Sequence, residues 1–210
     1  SSACATGAVA VITGAVGLVA SAGKDAGLNL TADEIYQVLI ESADDVNLTE
    51  EERAQSGAYP SGPGWDPFFG YGRVNVGRAV EWVSNGQIPP VADISGPDWF
   101  QVFDPSAGKL EIKGRMSADR SSGYTWKLEV GYGNDPRDWE ELSTGSGSTA
   151  FEGTLGELDL SKVPTALVPE PEKSEKVLER VERVFAPSVT VRLTVTDAGG
   201  QKGEFQKTFF

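Results

Sequence analysis

The chain opens with a run of small and aliphatic residues in which no charge appears before Lys24. A helix that is apolar on every side is ordinarily a buried one. The run falls short of the roughly 20 apolar residues that a helix needs to cross a bilayer. We therefore expect a buried central helix of a soluble domain over about residues 6–21. It contains three glycines, which should mark a close approach of neighbouring backbone because each lowers helix stability by about 1 kcal/mol: Gly7, Gly14 and Gly17.

Two later stretches have the 3.6-residue periodicity of amphipathic helices. Thr31, with Glu34 three residues later, predicts a capping box at the start of the first. Asn75 predicts the N-cap of the second. Their apolar faces contain Ile35, Val38 and Leu39 in the first helix, and Val76, Ala79, Val80 and Val83 in the second. The polar residues 47–64 between them predict a solvated loop.

After Pro90 the apolar pattern changes to the period of two that is typical of half-buried strands. The alternation is strict over residues 109–113, 125–130 and 189–195, and further strands are expected near 91–94, 99–103, 154–160 and 204–209. Trp126 and Leu128 should face one core together with Val191 and Leu193. Seven or so short antiparallel strands indicate an immunoglobulin- or fibronectin-like β-sandwich.

These patterns predict an α+β chain in two parts. A helical part spans residues 1–86, a stiff linker spans 87–90, and a β-sandwich spans 91–210. Residues 171–185 interrupt the sandwich with an amphipathic helical pattern. This insertion is either a surface helix that covers a sheet edge or a docking helix for a further part of the protein.

Composition restricts the classes of partner. The chain has 31 acidic and 18 basic side chains and a net charge of −13. Nucleic acids and anionic membranes require clustered basic residues, so neither is an expected partner. The one cysteine cannot form an internal disulfide. The carboxylate pairs Asp44-Asp45 and Glu140-Glu141 have no convergent partner in the sequence and should face solvent.

Three blocks in the first 86 residues resemble, in order, the C-terminal part of subtilisin-like serine proteases. In that family the nucleophile opens a buried helix within Gly-Thr-Ser-x-Ala-x-Pro-His-Val-Ala-Gly. With the last glycine placed on Gly14, Thr6 occupies the nucleophile position and Ala8 matches the first alanine of the motif. The proline and histidine positions hold Ala10 and Val11, which departs from the family pattern.

The other two blocks are more typical of the family. Residues 30–46 resemble the second amphipathic helix of subtilases, and residues 69–80 resemble the Phe/Tyr-Gly-x-Gly-x-Val/Ile-Asn segment that opens the last one. The resemblance implies the C-terminal helices of a catalytic α/β domain in a secreted endopeptidase that acts on proteins or peptides. It also implies that an upstream portion of the same protein carries the remaining catalytic groups.

The resemblance makes Thr6 the expected catalytic nucleophile, with Ser2 or Cys4 as alternatives if the register is shifted by a few residues. Thr6 could equally be a helix-capping residue in a degenerated site. A serine protease triad requires a histidine base, and this chain has no histidine, so we expect it to be inactive by itself. No cofactor is identified, and calcium is implied by the family alone because no Asp-x-Asp-x-Asp loop occurs. The main alternative is a decayed protease or a non-enzymatic scaffold in which the sandwich carries the function.

Overall fold

The computed structural model describes residues 3–57, 59, 61–163 and 188–210. The chain divides into two compact units, of which Ser1–Val91 with Gly199–Gly203 forms the helical unit and Ala92–Ala198 with Glu204–Phe210 forms the sandwich unit. Helices and two antiparallel sheets confirm the predicted α+β class. The expected helical insertion at 171–185 lies outside the described residues.

Four α-helices lie in the described part of the helical unit: α1 Ala3–Asp25, α2 Ala32–Glu41, α3 Glu50–Ser56 and α4 Val76–Ser84. The capping box of α2 is confirmed, because Thr31 Oγ1 accepts from the Glu34 N–H at 3.2 Å and Glu34 accepts from the Thr31 N–H at 2.8 Å. The expectation of a loop over residues 47–64 is wrong in part. Thr49 and Glu52 form a second capping box that starts α3, a helix without a buried residue.

The expectation that α1 is buried on all sides is wrong for this chain. Ala15 and Val19 are buried, and Val19 packs in a small core with residues of α2 and α4. In contrast, the side chains of Val9, Val11 and Leu18 are more than half exposed. One apolar stripe of α1 is therefore covered within the helical unit, and the rest of its apolar surface is open.

The glycines of α1 do not have the close neighbours that we expected. Apart from the adjacent residues and the nearby backbone of α1 itself, no described atom lies within 4 Å of the position that a Cβ would take at Gly7, Gly14 or Gly17. A close approach occurs instead at Gly23, where a Cβ would lie 2.8 Å from the Leu30 side chain.

The sequence-based estimate that the apolar run is too short to cross a bilayer is also corrected by the structure. The 19 residues Gly7–Asp25 form a helix that is long and apolar enough to do so by length and composition. Core helices of soluble proteins and signal sequences share these two properties, so length and composition do not distinguish a membrane span from a core helix or a signal sequence.

The described strands are β1 Val91–Gly96, β2 Lys109–Ser117, β3 Tyr124–Tyr132, β4 Glu140–Gly147, β5 Phe151–Asp159, β6 Val189–Asp197 and β7 Lys202–Phe209. All belong to the sandwich unit except the first residue of β1 and the first two residues of β7. Their order is β1-β2-β5 in one sheet and β4-β3-β6-β7 in the other. The chain therefore changes sheet three times, between β2 and β3, between β4 and β5, and between β5 and β6. Residues 99–103 do not form the expected strand, and β4 was not anticipated.

The core of the sandwich unit lies where the alternation predicts it. Leu128 and Leu193 are fully buried and face each other in the antiparallel register of β3 and β6. Val191 is a buried member of the same core. Trp126, which was expected in the core, is partly buried and packs against its border. The face that each of the two strands turns to the core is therefore as predicted, since a shift of one residue would turn these side chains to the opposite face.

The opposite face of β3 and β6 carries an ion-paired cluster around Glu129. Its carboxylate accepts hydrogen bonds from Arg192 at 2.8 and 3.0 Å and contacts Lys127 Nζ at 2.6 Å. The Arg192 guanidinium lies over the Trp139 ring at 4.0 Å. Burial by itself would raise the pKa of Glu129, but the contacts with Lys127 and Arg192 outweigh it and hold the pKa below its usual value.

Candidate active site

The second and third resemblance blocks meet at a cluster formed by Asp44, Arg73, Asn75 and Arg78, here called the Asp44 cluster. Asp44 follows α2, and its backbone forms an antiparallel bridge with Arg73 through hydrogen bonds of 2.8 and 2.9 Å. Asn75 caps α4 by accepting from the Arg78 N–H at 3.0 Å, and its amide donates to Asp44 Oδ1 at 3.1 Å. The segment that begins α4 is therefore fixed to the end of α2.

Arg78 completes the Asp44 cluster from the first turn of α4. Its guanidinium donates to Asp44 Oδ1 at 2.7 Å and to the carbonyl oxygens of Ser42 and Ala43, each at 3.1 Å. These carbonyls belong to the end of α2, where backbone acceptors have no partner within the helix. One side chain thus neutralises a carboxylate and caps the end of a helix.

The hydrogen bond from Asn75 is the main cause that lowers the pKa of Asp44; burial opposes it, and the Arg78 charge adds to it. Asp44 was predicted to be solvent-facing without a partner, and this expectation is wrong. Its partners lie 29 to 34 residues further along the chain, so no local pattern indicates them.

The contact between the Asp44 and Arg73 backbones requires a glycine at position 72. Its φ is 107°, a conformation that side-chain-bearing residues rarely adopt, and a Cβ at this position would overlap the carbonyl group of Asp44. The second glycine of the Phe-Gly-Tyr-Gly segment therefore has a defined physical role, which is to let the two backbones meet.

The aromatic segment before this junction folds into a closed turn. The Asp66 and Gly70 backbones form a bridge, and Asp66 Oδ1 accepts from the N–H groups of Phe68 and Phe69 at 2.8 Å each. Asp66 is buried, and its other carboxylate oxygen has no hydrogen-bond partner among the described residues. The Phe68 ring stacks on Tyr59 with centroids 5.0 Å apart.

The structure does not assemble a catalytic site around the predicted nucleophiles. The backbone of Thr6 belongs to α1, where it is the fourth residue of a helix that begins at Ala3. The side chains of Cys4 and Thr6 are not described, and Ser2 lies outside the described residues. The assignment of Thr6, Ser2 or Cys4 as nucleophile therefore stays a prediction.

A cavity of about 310 Å³ lies elsewhere in the helical unit. It combines a carboxylate, an ammonium group and an indole ring, and it contains none of the predicted catalytic residues. Its lining residues are Glu41, Trp82, Gln87, Pro89, Gly200, Gln201 and Lys202. Among the residues that the structure describes, no group of three or more His, Cys, Asp or Glu side chains could hold a metal ion.

Sequence comparisons do not place the chain in a family, because neither a known family model nor a curated protein matches it. Among solved structures, it is similar to an engineered protein at 17% identity, over 57% of this chain and 19% of that one, with a TM-score of 0.31. It is also similar to a β-glucuronidase of Parabacteroides merdae at 11% identity, over 56% of this chain and 13% of that one, with a TM-score of 0.27. The chain spans less than a fifth of either protein. Such low similarity carries no argument about fold or function.

Proposed function

We propose that residues 1–86 are the C-terminal part of a subtilisin-like catalytic domain in a secreted endopeptidase, and that an upstream portion of the same protein supplies the aspartate and histidine. The observation that carries the proposal is the Asp44 cluster. It gives a physical reason for the features of two resemblance blocks that composition alone does not explain: an acidic residue after α2, a glycine at Gly72 and an asparagine at the start of α4.

The open surface of α1 supports the same proposal. Contiguous exposed apolar surface of several hundred Å² is uncommon in monomers and marks a binding surface. In a complete subtilisin-like domain the upstream portion would cover this helix. Val9, Val11 and Leu18 would then be core residues rather than surface residues.

In the proposed reaction, Thr6 Oγ1 attacks the carbonyl carbon of the scissile peptide bond. The upstream histidine accepts the hydroxyl proton and then donates it to the leaving amine, and water hydrolyses the acyl-enzyme. Backbone N–H groups near the start of α1 would stabilise the oxyanion. The threonine methyl group restricts χ1, so we expect slower acylation than with serine.

The test uses the protein that includes the upstream portion, with peptidase activity measured on a denatured protein substrate. Thr6→Ala should abolish activity with an unchanged circular dichroism spectrum, and Thr6→Ser should keep or raise it. Activity that survives Thr6→Ala and is lost with Ser2→Ala or Cys4→Ala would contradict the Gly14 register. Activity that appears only with Thr6→Ser would replace this proposal with the decayed-protease alternative.

A binding function of the sandwich unit is the second candidate. It is favoured by a group of exposed aromatic side chains beside β7, which the core of the sandwich does not require. This candidate does not depend on catalysis by the helical unit.

A further inference from the structure

Two large aromatic side chains project from a tight turn between β1 and β2. The turn spans Asp98 to Gln101 and is closed by a hydrogen bond from the Gln101 N–H to the Asp98 carbonyl at 3.2 Å. The Gln101 side-chain oxygen also accepts from the Asp98 N–H at 3.0 Å. At its centre, Trp99 is 42% exposed and Phe100 is 56% exposed.

The rings form a contiguous group with the last residue of the sandwich unit. The Trp99 and Phe100 centroids are 5.7 Å apart, and those of Phe100 and Phe210 are 6.0 Å apart. We call Trp99, Phe100 and Phe210 the aromatic tip. Val102, two residues after Phe100 in the chain, is 77% exposed.

Backbone hydrogen bonds to β7 hold the aromatic tip in place. The Phe100 N–H donates to the Thr208 carbonyl at 2.9 Å, and the Phe210 N–H donates to the Gln101 carbonyl at 2.8 Å. The exposed rings therefore lie on a segment tied to the edge of a sheet, and they are presented as a fixed surface.

The conformation of Phe100 is strained. Its φ is 58°, and it is the one described residue other than glycine with a positive φ. The third position of such a turn normally takes glycine or asparagine, because a bulky side chain there clashes with its own backbone. Strained residues of this kind cluster at functional sites. A turn that served only to connect two strands would not need an aromatic residue at this position.

The size of the surface argues for a small ligand. The exposed parts of Trp99 and Phe100 amount to on the order of 200 Å² of side-chain area. A stable interface between folded proteins buries about 800 Å² on each partner. The aromatic tip is sufficient for a few sugar rings and insufficient by itself for a folded protein.

The charges around the aromatic tip argue for a neutral ligand. Residues 94–108 contain Asp98 and Asp104 and no basic residue. The Asp98 carboxylate interacts with the charge of the nearby Lys207, and the Asp104 carboxylate accepts from the Ser106 N–H at 2.8 Å. An anionic membrane would require a cluster of flanking basic residues, which the single Lys207 does not form. A carboxylate such as Asp98, with its charge compensated by Lys207 and with apolar rings beside it, instead suits a ligand that has an apolar face and hydroxyl groups at its edge.

We propose that the aromatic tip binds a neutral polysaccharide, with sugar rings stacked on Trp99 and Phe100 and their hydroxyls hydrogen-bonded by Asp98 and Gln101. This function is independent of the proposed peptidase activity. A repeating polymer suits a small surface, since each polymer chain offers many equivalent segments to one weak site.

The experiment measures depletion of the full chain by suspended cellulose, chitin and xylan, followed by calorimetric titration with the matching hexasaccharide. We expect binding to at least one polymer and a loss of about tenfold or more in affinity for Trp99→Ala. Phe100→Gly should also lose affinity, while its melting temperature stays constant or rises because glycine relieves the positive φ. Phe151→Ala removes an aromatic side chain that is 41% exposed on β5 and serves as the matched control.

Two results would overturn the proposal. One is the absence of binding by the wild type to all three polymers, and the other is binding that Trp99→Ala and Phe100→Gly leave unchanged. Parallel samples contain phosphatidylcholine vesicles and unfolded casein. If the two variants lose binding to either of these while no glycan binds, the surface recognises lipid or polypeptide and the polysaccharide assignment is wrong.

Discussion

Replacing Leu193 with alanine tests the assignment of the sandwich core. Leu193 has no exposed surface, and it lies opposite the equally buried Leu128 in the β3–β6 register. The substitution removes three carbon atoms from a packed site between two sheets. Lost transfer free energy and the cavity together should lower the free energy of unfolding by about 2–5 kcal/mol. For a unit of this size, a loss of about 3 kcal/mol corresponds to a fall of roughly 10 °C in melting temperature.

The assay is urea unfolding of the full chain, followed by tryptophan fluorescence and by circular dichroism. Thr194→Ala is the matched control, because Thr194 is the next residue of β6 and points to the opposite, partly exposed face. It should change stability by less than about 0.5 kcal/mol. A loss below about 0.5 kcal/mol for Leu193→Ala, or equal losses for both variants, would show that the face assignment of β6 is inverted.

Three further predictions concern the other parts of the chain. Arg78→Met should lower stability by about 1–2 kcal/mol in urea unfolding, because it removes three hydrogen bonds from a partly exposed side chain; an unchanged midpoint would show that the Asp44 cluster is not stabilising. The lowered pKa of Glu129 implies stability that is fully present above its ordinary pKa and is lost as the pH falls through the lowered value. Glu129→Gln should therefore flatten the decline in melting temperature between about pH 5 and pH 3, and an identical decline would contradict the assignment. Leu18→Glu should reduce self-association of the full chain in light scattering without unfolding it, whereas Val19→Glu, one residue later and fully buried, should unfold the helical unit.

The helices and strands could be predicted where one buried face makes apolar residues recur at regular intervals along the sequence. β3 and β6 alternate strictly because one face of each lies in the core, and α2 begins at a capping box that four residues define. β4 was missed because it is an edge strand, Glu-Glu-Leu-Ser-Thr-Gly-Ser-Gly, that is held by backbone pairing with β3. α3 was missed for a similar reason, since it buries no residue and so has no apolar face to detect.

The candidate functional features were less predictable because they depend on distant parts of the chain. Asp44 and Arg78 are separated by 34 residues and share a contact of 2.7 Å. The positive φ of Phe100 could not be predicted from its residue type, since aromatic residues favour extended backbone. A polar or aromatic residue in a loop can be recognised as part of a cluster or a binding surface only when the fold shows which residues lie beside it.

The glycines and exposed valines of α1 form a surface that another polypeptide segment could approach closely. The contacts within the helical unit require one apolar stripe, which Ala15 and Val19 supply. A helix with no further partner would carry polar residues elsewhere, as α2 and α4 do. The open surface instead combines exposed valines with glycines that have no described neighbour within 4 Å. Another polypeptide segment can approach the backbone of a helix closely at glycine, in water or in a membrane. If the upstream portion of the proposed catalytic domain packs on this surface, closer packing would offset the lower helix stability at Gly7, Gly14 and Gly17.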